Sequence, residues 1–119
     1  MEKEFVTYRL ALRMKELGYD EPCMAWYGGE DIFRISGNYK NSTHTIWFCV
    51  SAPTWQSAFA WFREKYNIHI RIEKYDETKW WANWGSWTSD VYDSHEETEL
   101  ACLEKLIEIV EQKQPCSTL

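Results

Sequence analysis

Residues 67–87, NIHIRIEKYDETKWWANWGSW, decide how this chain folds. The first half alternates, with Ile68, Ile70 and Ile72 on one side and His69, Arg71 and Glu73 on the other. A period of two marks a strand with one buried face. Asp76, Glu77 and Thr78 form a polar turn, and residues 79–87 return as the partner strand. This returning arm carries Trp80, Trp81, Trp84 and Trp87. Alternation puts Trp81 and Trp87 on one face and Trp80 and Trp84 on the other, unless Gly85 marks a bulge.

Helices flank the hairpin. Upstream, residues 51–66 read as a helix with Ser51 as cap and Pro53 in its first turn. Trp55, Ala58, Phe59, Phe62 and Tyr66 make its apolar stripe, and Trp61 falls off that stripe as a candidate for exposure or for a second contact. Downstream, Ser94 and Glu97 match a capping box ahead of Leu100, Leu103, Ile107 and Val110. The tail, residues 112–119, is polar and expected to fray.

Residues 8–17 repeat the helical pattern through Leu10, Met14 and Leu17, with Thr7 as cap and Gly18 just past the end. Residues 23–27 and 31–35 read as strands joined through Gly28 and Gly29. Residues 36–44 read as a loop, and THTIWFCV, residues 43–50, as a third strand rich in β-branched and aromatic side chains. The order is α-β-β-β-α-β-β-α. That order gives an α+β fold, most simply an antiparallel sheet of about five strands with three helices on one face, with one parallel crossover through the middle helix as the alternative. The 119 residues suit a single domain, 1–119.

Composition narrows the function. The net charge is −6 and the pI is near 5.0, which argues against a nucleic acid polymer or an anionic membrane as partner. No apolar run approaches the roughly 20 residues that span a bilayer. The charged start MEKEF does not read as a signal peptide, so a cytoplasmic protein is expected. Cys23, Cys49, Cys102 and Cys116 are then expected as free thiols, and their irregular spacing lacks any zinc pattern. No cofactor motif is present, and no metal site is expected.

Aromatic residues make up 17% of the chain, with eight Trp. That is more than a small core hides, so some indoles are expected at a pocket or at the contact of a homo-oligomer. The Trp80, Trp81, Trp84 and Trp87 cluster is the candidate site. Indoles on the outer face could stack on a flat ligand such as a nucleobase. Arg71 on the neighbouring strand could hold a phosphate, with His69, Arg34 and Lys79 adding charge or hydrogen bonds. The competing reading of the same residues is core packing and surface ion pairing. His44, His69 and His95 have no metal-type spacing and no paired nucleophile, so no catalytic residue is assigned.

Three blocks carry a family resemblance: EFVTYRLALRMKELGYDEPC at 4–23, APTWQSAFAWFREKYNI at 52–68 and TELACLEKLIEIVE at 98–111. In these blocks the chain resembles a family of small proteins from gut Bacteroides and their phages and prophages. The resemblance implies a phage origin, a host-cell cytoplasmic location and no catalytic residues to transfer. The expected function is a non-catalytic sponge that sequesters a nucleotide-derived host immune signal, of cyclic nucleotide or cyclic ADP-ribose type. The alternative is a protein-interaction module acting through an exposed aromatic surface. A third option is a nucleotide-cleaving enzyme using His44 or His69.

Overall fold

A computed structural model of the chain describes residues 2–43 and 46–113, the side chains of Glu2 and Lys113 excepted. His44 and Cys116, both singled out above, lie outside the described residues, as does most of the 112–119 tail. The chain divides into two compact units, Met1–Ala58 and Phe59–Leu119. The fold is α+β, with three α-helices and six strands among the described residues. The strands form two three-stranded antiparallel sheets in place of the single sheet of about five expected from the sequence.

In the first unit, α1 (Tyr8–Glu16) buries Leu10, Ala11 and Met14. Thr7 precedes it with an extended backbone, but its hydroxyl makes no capping bond. The end of the helix is fixed by Gly18 at φ +100°. Gly18 N–H donates to Lys15 C=O and Tyr19 N–H to Met14 C=O, both at 3.0 Å. A left-handed C′ residue is what allows this pair of bonds. Gly18→Ala is therefore expected to cost about 1–2 kcal/mol, because a Cβ opposes that backbone. Urea denaturation measures it, and an unchanged midpoint would mean that the helix end simply reshapes.

Strand β1 (Cys23–Tyr27) buries Cys23, Ala25 and Tyr27 and sits between β2 (Phe33–Tyr39) and β3 (Val50–Ser51). The β1–β2 turn closes with Gly28 N–H on Ile32 C=O at 2.9 Å. Two sequence expectations need correcting here. Residues 36–39 are strand, not loop: β2 continues past a register shift, with Gly37 at φ +96°, until Tyr39 pairs with Cys23. There the Tyr39 ring stacks on Trp26 at 5.1 Å.

The 43–50 stretch, in contrast, has no strand among its described residues until Val50. Residues 46–49 turn, with Cys49 N–H on Ile46 C=O at 3.1 Å. Helix α1 holds this turn by its carbonyls: Lys15 donates to Ile46 and Cys49 C=O, at 3.2 and 3.0 Å, and Tyr8 O–H to Phe48 C=O at 3.1 Å. With the backbone satisfied, the side chains of Ile46, Trp47 and Phe48 are left outside, and Trp47 is 71% exposed.

Helix α2 (Trp55–Tyr66) starts later than expected. Ser51 belongs to β3 and caps nothing. Thr54 is the cap, its Oγ1 accepting from Ser57 N–H at 3.2 Å. In the second unit the helix buries Phe62 fully, and Trp61 is only 8% exposed, so of its two expected placements the second contact holds and the exposure does not. Its ring meets Phe62 at 5.0 Å and Tyr66 at 5.6 Å, filling a second buried stripe. Asn67 at φ +57° ends the helix.

Strand β4 (Arg71–Lys74) occupies only the middle of the 67–75 run, although Ile68 is buried and His69 exposed as the alternation requires. The following turn hangs on Asp76, whose Oδ1 accepts from Thr78 N–H and Lys79 N–H, both at 2.9 Å. These bonds favour the ionised carboxylate and hold it below the usual range. Residues 79–87 are two strands, β5 (Trp80–Trp84) and β6 (Trp87–Thr88). Gly85 at φ +57° makes a tight reversal, which is why the strand count exceeds five. Helix α3 (His95–Lys113) starts as expected, with Glu97 N–H on Ser94 Oγ at 3.1 Å. Leu103, Leu106, Ile107 and Val110 are buried, whereas Leu100 is exposed. Thr98 takes an inward position instead, its hydroxyl donating to Ser94 C=O at 3.0 Å.

Candidate functional site in the tryptophan sheet

The register of β4, β5 and β6 assigns every side chain to a face. Lys74 pairs with Trp80, Glu73 with Trp81, Ile72 with Ala82 and Arg71 with Asn83. Across the tight turn, Trp84 pairs with Trp87 and Asn83 with Thr88. Opposed residues in a ladder share a face. Trp87 therefore lies with Trp84, not with Trp81 as simple alternation through the turn would have it. One face holds Ile72, Lys74, Trp80, Ala82, Trp84 and Trp87. The other holds Arg71, Glu73, Trp81, Asn83 and Thr88.

The first face meets α3. Ala82 is fully buried there. The Trp80 ring stands edge-on to His95 at 4.9 Å and carries the Lys74 ammonium at 5.1 Å from its centroid. Trp87 and Tyr92 border a groove of about 270 Å³ against Ala101 and Lys105 of α3, and Asp90, Glu104 and Glu108 line it as well. Three carboxylates outnumber the single ammonium. Each carboxylate raises the energy of a nearby phosphate by on the order of 1 kcal/mol, and Lys105 Nζ already sits 5.9 Å from the Trp87 ring. This groove opposes an anionic ligand.

The second face has a different character. Trp81 is half-buried, and the Tyr75 ring meets it edge-on at 5.7 Å. Beside it runs a short polar chain. Arg71 Nη2 donates to Asn83 Oδ1 at 3.4 Å, Asn83 Nδ2 donates to Glu73 Oε1 at 3.3 Å, and Arg71 Nε lies 3.6 Å from Glu73 Oε2. These contacts are long, and the Arg71 side chain is 72% exposed. An exposed pair of this kind contributes little to stability and leaves the guanidinium available.

Of the other residues expected at the site, Lys79 forms a salt bridge with Asp93 that raises its pKa. His69 Nε2 lies 3.0 Å from Asn67 Oδ1 on the exposed run before β4. Arg34 belongs to the first unit, on β2 opposite Trp26, and forms no part of this sheet. Asn83 and Tyr75 were not singled out from the sequence. Asn83 carried a signal all the same, since it shares the parity of Trp81 within WWANW. Among the described residues no group of three or more His, Cys, Asp or Glu is placed to hold a metal ion. The described cysteines, Cys23, Cys49 and Cys102, are free and buried. Burial pushes the Cys102 thiol up to about 12. No described helix is long and apolar enough to cross a membrane.

No protein-family model matches this chain, and no curated protein or solved structure is significantly similar to it.

Proposed function

We propose that the chain is a non-catalytic binding protein that holds a small, flat, nucleotide-derived ligand on the outer face of β4 and β5. The observation that carries this reading is the grouping of Trp81, Asn83 and a 72% exposed Arg71 on one face, with Tyr75 against the indole. An indole face stacks on any nucleobase, a contact worth about 1–3 kcal/mol. Asn83 has both a donor and an acceptor with which to read a base edge. Arg71 can exchange its long contacts to Asn83 and Glu73 for a two-pronged bond to a phosphate. The acidic groove beside Trp87 offers no such anion partner, which favours the outer face.

The biological role that fits is sequestration. A phage protein that binds a host signal of cyclic nucleotide or cyclic ADP-ribose type needs affinity and no bond-making. Native mass spectrometry after incubation with a panel of nucleotides tests this reading. Retention of an intact nucleotide supports it, and release of a cleaved product points to an enzyme using His69 or His44. For the retained nucleotide, Trp81→Ala is expected to weaken binding roughly five- to a hundredfold. Its melting temperature should stay close to that of the wild type. Unchanged affinity would remove Trp81 from the site.

A second reading has its own observation. The turn holding Ile46, Trp47 and Phe48 is pinned by Lys15 and Tyr8 and presents Trp47 to solvent. An anchored, exposed Trp is the type of residue that dominates protein contacts. If no nucleotide in the panel binds, the interaction-module reading takes precedence.

A further inference from the structure

We propose that the open edge of β2 is the surface through which two copies of this chain pair, antiparallel, with Ile35 on the two-fold axis. The backbone directions come from the ladder. Ala25 C=O accepts from Ala52 N–H at 2.9 Å, so Ala25 bonds toward β3. Its opposite number on β2 is Ile35. In an antiparallel ladder, residues alternate between bonding to one neighbour and to the other. Ile35 and Phe33 therefore turn their N–H and C=O groups away from β1, to the free side of the sheet. The sheet order β2-β1-β3 places no described strand there.

The side chains agree with the backbone. On the face shared by Ala25, Tyr27, Phe33 and Ile35, burial is complete at the centre and fails at the edge: Ala25 is 0% exposed, Ile35 48%. The apolar layer thus runs to a rim where Ile35 is half exposed, beside backbone groups that no described strand pairs. Such an edge is a template for another strand.

Charge selects a second copy as the occupant and fixes the register. Residues 1–58 hold six Lys or Arg against seven Asp or Glu, whereas residues 59–119 hold seven against twelve. The near-neutral unit can meet itself without the repulsion that the acidic unit would feel. Arg34 is the single charged residue of β2. An axis through Arg34 would set two guanidinium groups directly opposite, which is unfavourable. An axis through Ile35 sets Arg34 against Ser36 of the second copy and joins the two Ile35 side chains over the open rim. Because the axis sets Gly37 of each copy opposite Phe33 of the other, the bulge around Gly37 limits the ladder at both ends.

Light scattering during gel filtration at tens of micromolar should give twice the 14.3 kDa chain mass. Ile35→Asp, which places two carboxylates on the axis, should give the single-chain mass with an unchanged circular dichroism spectrum. Ile35→Cys tests the register in the folded protein. Directly opposed, mutually bonded residues have Cα atoms about 5.5 Å apart, within the disulfide range of about 4.4–6.8 Å. Under mild oxidation Ile35→Cys should cross-link into covalent dimers well beyond wild type and Ser36→Cys treated in parallel. A wild-type monomer, an Ile35→Asp dimer, or cross-linking no greater at 35 than at 36 would each overturn the proposal.

Discussion

Asn41→Ala is expected to destabilise the protein by about 2–6 kcal/mol, since each buried polar group left unpaired costs about 1–3 kcal/mol. Asn41 is buried at the end of β2 and uses both halves of its amide. Nδ2 donates to Tyr19 C=O at 2.8 Å, and Oδ1 accepts from Ser51 N–H at 2.9 Å. One side chain thereby ties the chain leaving α1 to β3. Alanine strands a carbonyl and an N–H inside the protein. Asn41→Asp separates the two bonds, since the carboxylate still accepts from Ser51 but has no proton to give Tyr19. Both variants should unfold at lower urea than wild type. A shift under about 0.5 kcal/mol for Asn41→Ala, the size of an ordinary surface effect, would mean that water replaces the amide.

Phe62→Ala is expected to cost about 3–5 kcal/mol, the range for emptying a large aromatic site in a core. Phe62 is fully buried, and its ring meets Trp61 at 5.0 Å and Tyr66 at 5.9 Å. Removing it deletes one of three mutually touching rings and leaves a void too apolar to hold water. Phe62→Leu retains most of the volume and should cost clearly less. Equal losses for the two variants would show that the site collapses around either side chain. Tryptophan emission gives a second readout, because the Trp61 indole would lose one of its two ring neighbours.

What the sequence made legible was local. Gly18 ending α1, the Ser94 cap of α3 and strand β1 depend on residues within a turn or two of one another, and each stands where its pattern put it. What it concealed depended on distant partners. Residues 36–44 look like a polar loop until Asn41 is seen to bond residues 22 and 10 positions away. Residues 43–50 have strand composition, yet Lys15 and Tyr8, more than 30 positions upstream, take the carbonyls of a turn instead. In the candidate site, the register of β4 on β5 puts Arg71 and Trp81 on one face, which alternation within each strand could not decide. Trp87 does not, because counting by twos fails across the reversal at Gly85. Trp61 stood open between exposure and a second contact, because a second buried stripe on α2 shows only once its ring is seen against Phe62 and Tyr66.

The claim that the outer face of β4 and β5 holds the ligand is tested most directly by the indole N–H signals in a two-dimensional ¹H–¹⁵N spectrum. The eight Trp residues give eight such signals, and the one missing from Trp81→Phe identifies Trp81. Titration is carried out with the nucleotide retained in native mass spectrometry. The Trp81 signal should move in step with saturation, with those of Trp84 and Trp87 on the opposite face scarcely affected. A Trp81 signal unmoved at saturation, with the shift at Trp87 or Trp47 instead, would contradict the assignment.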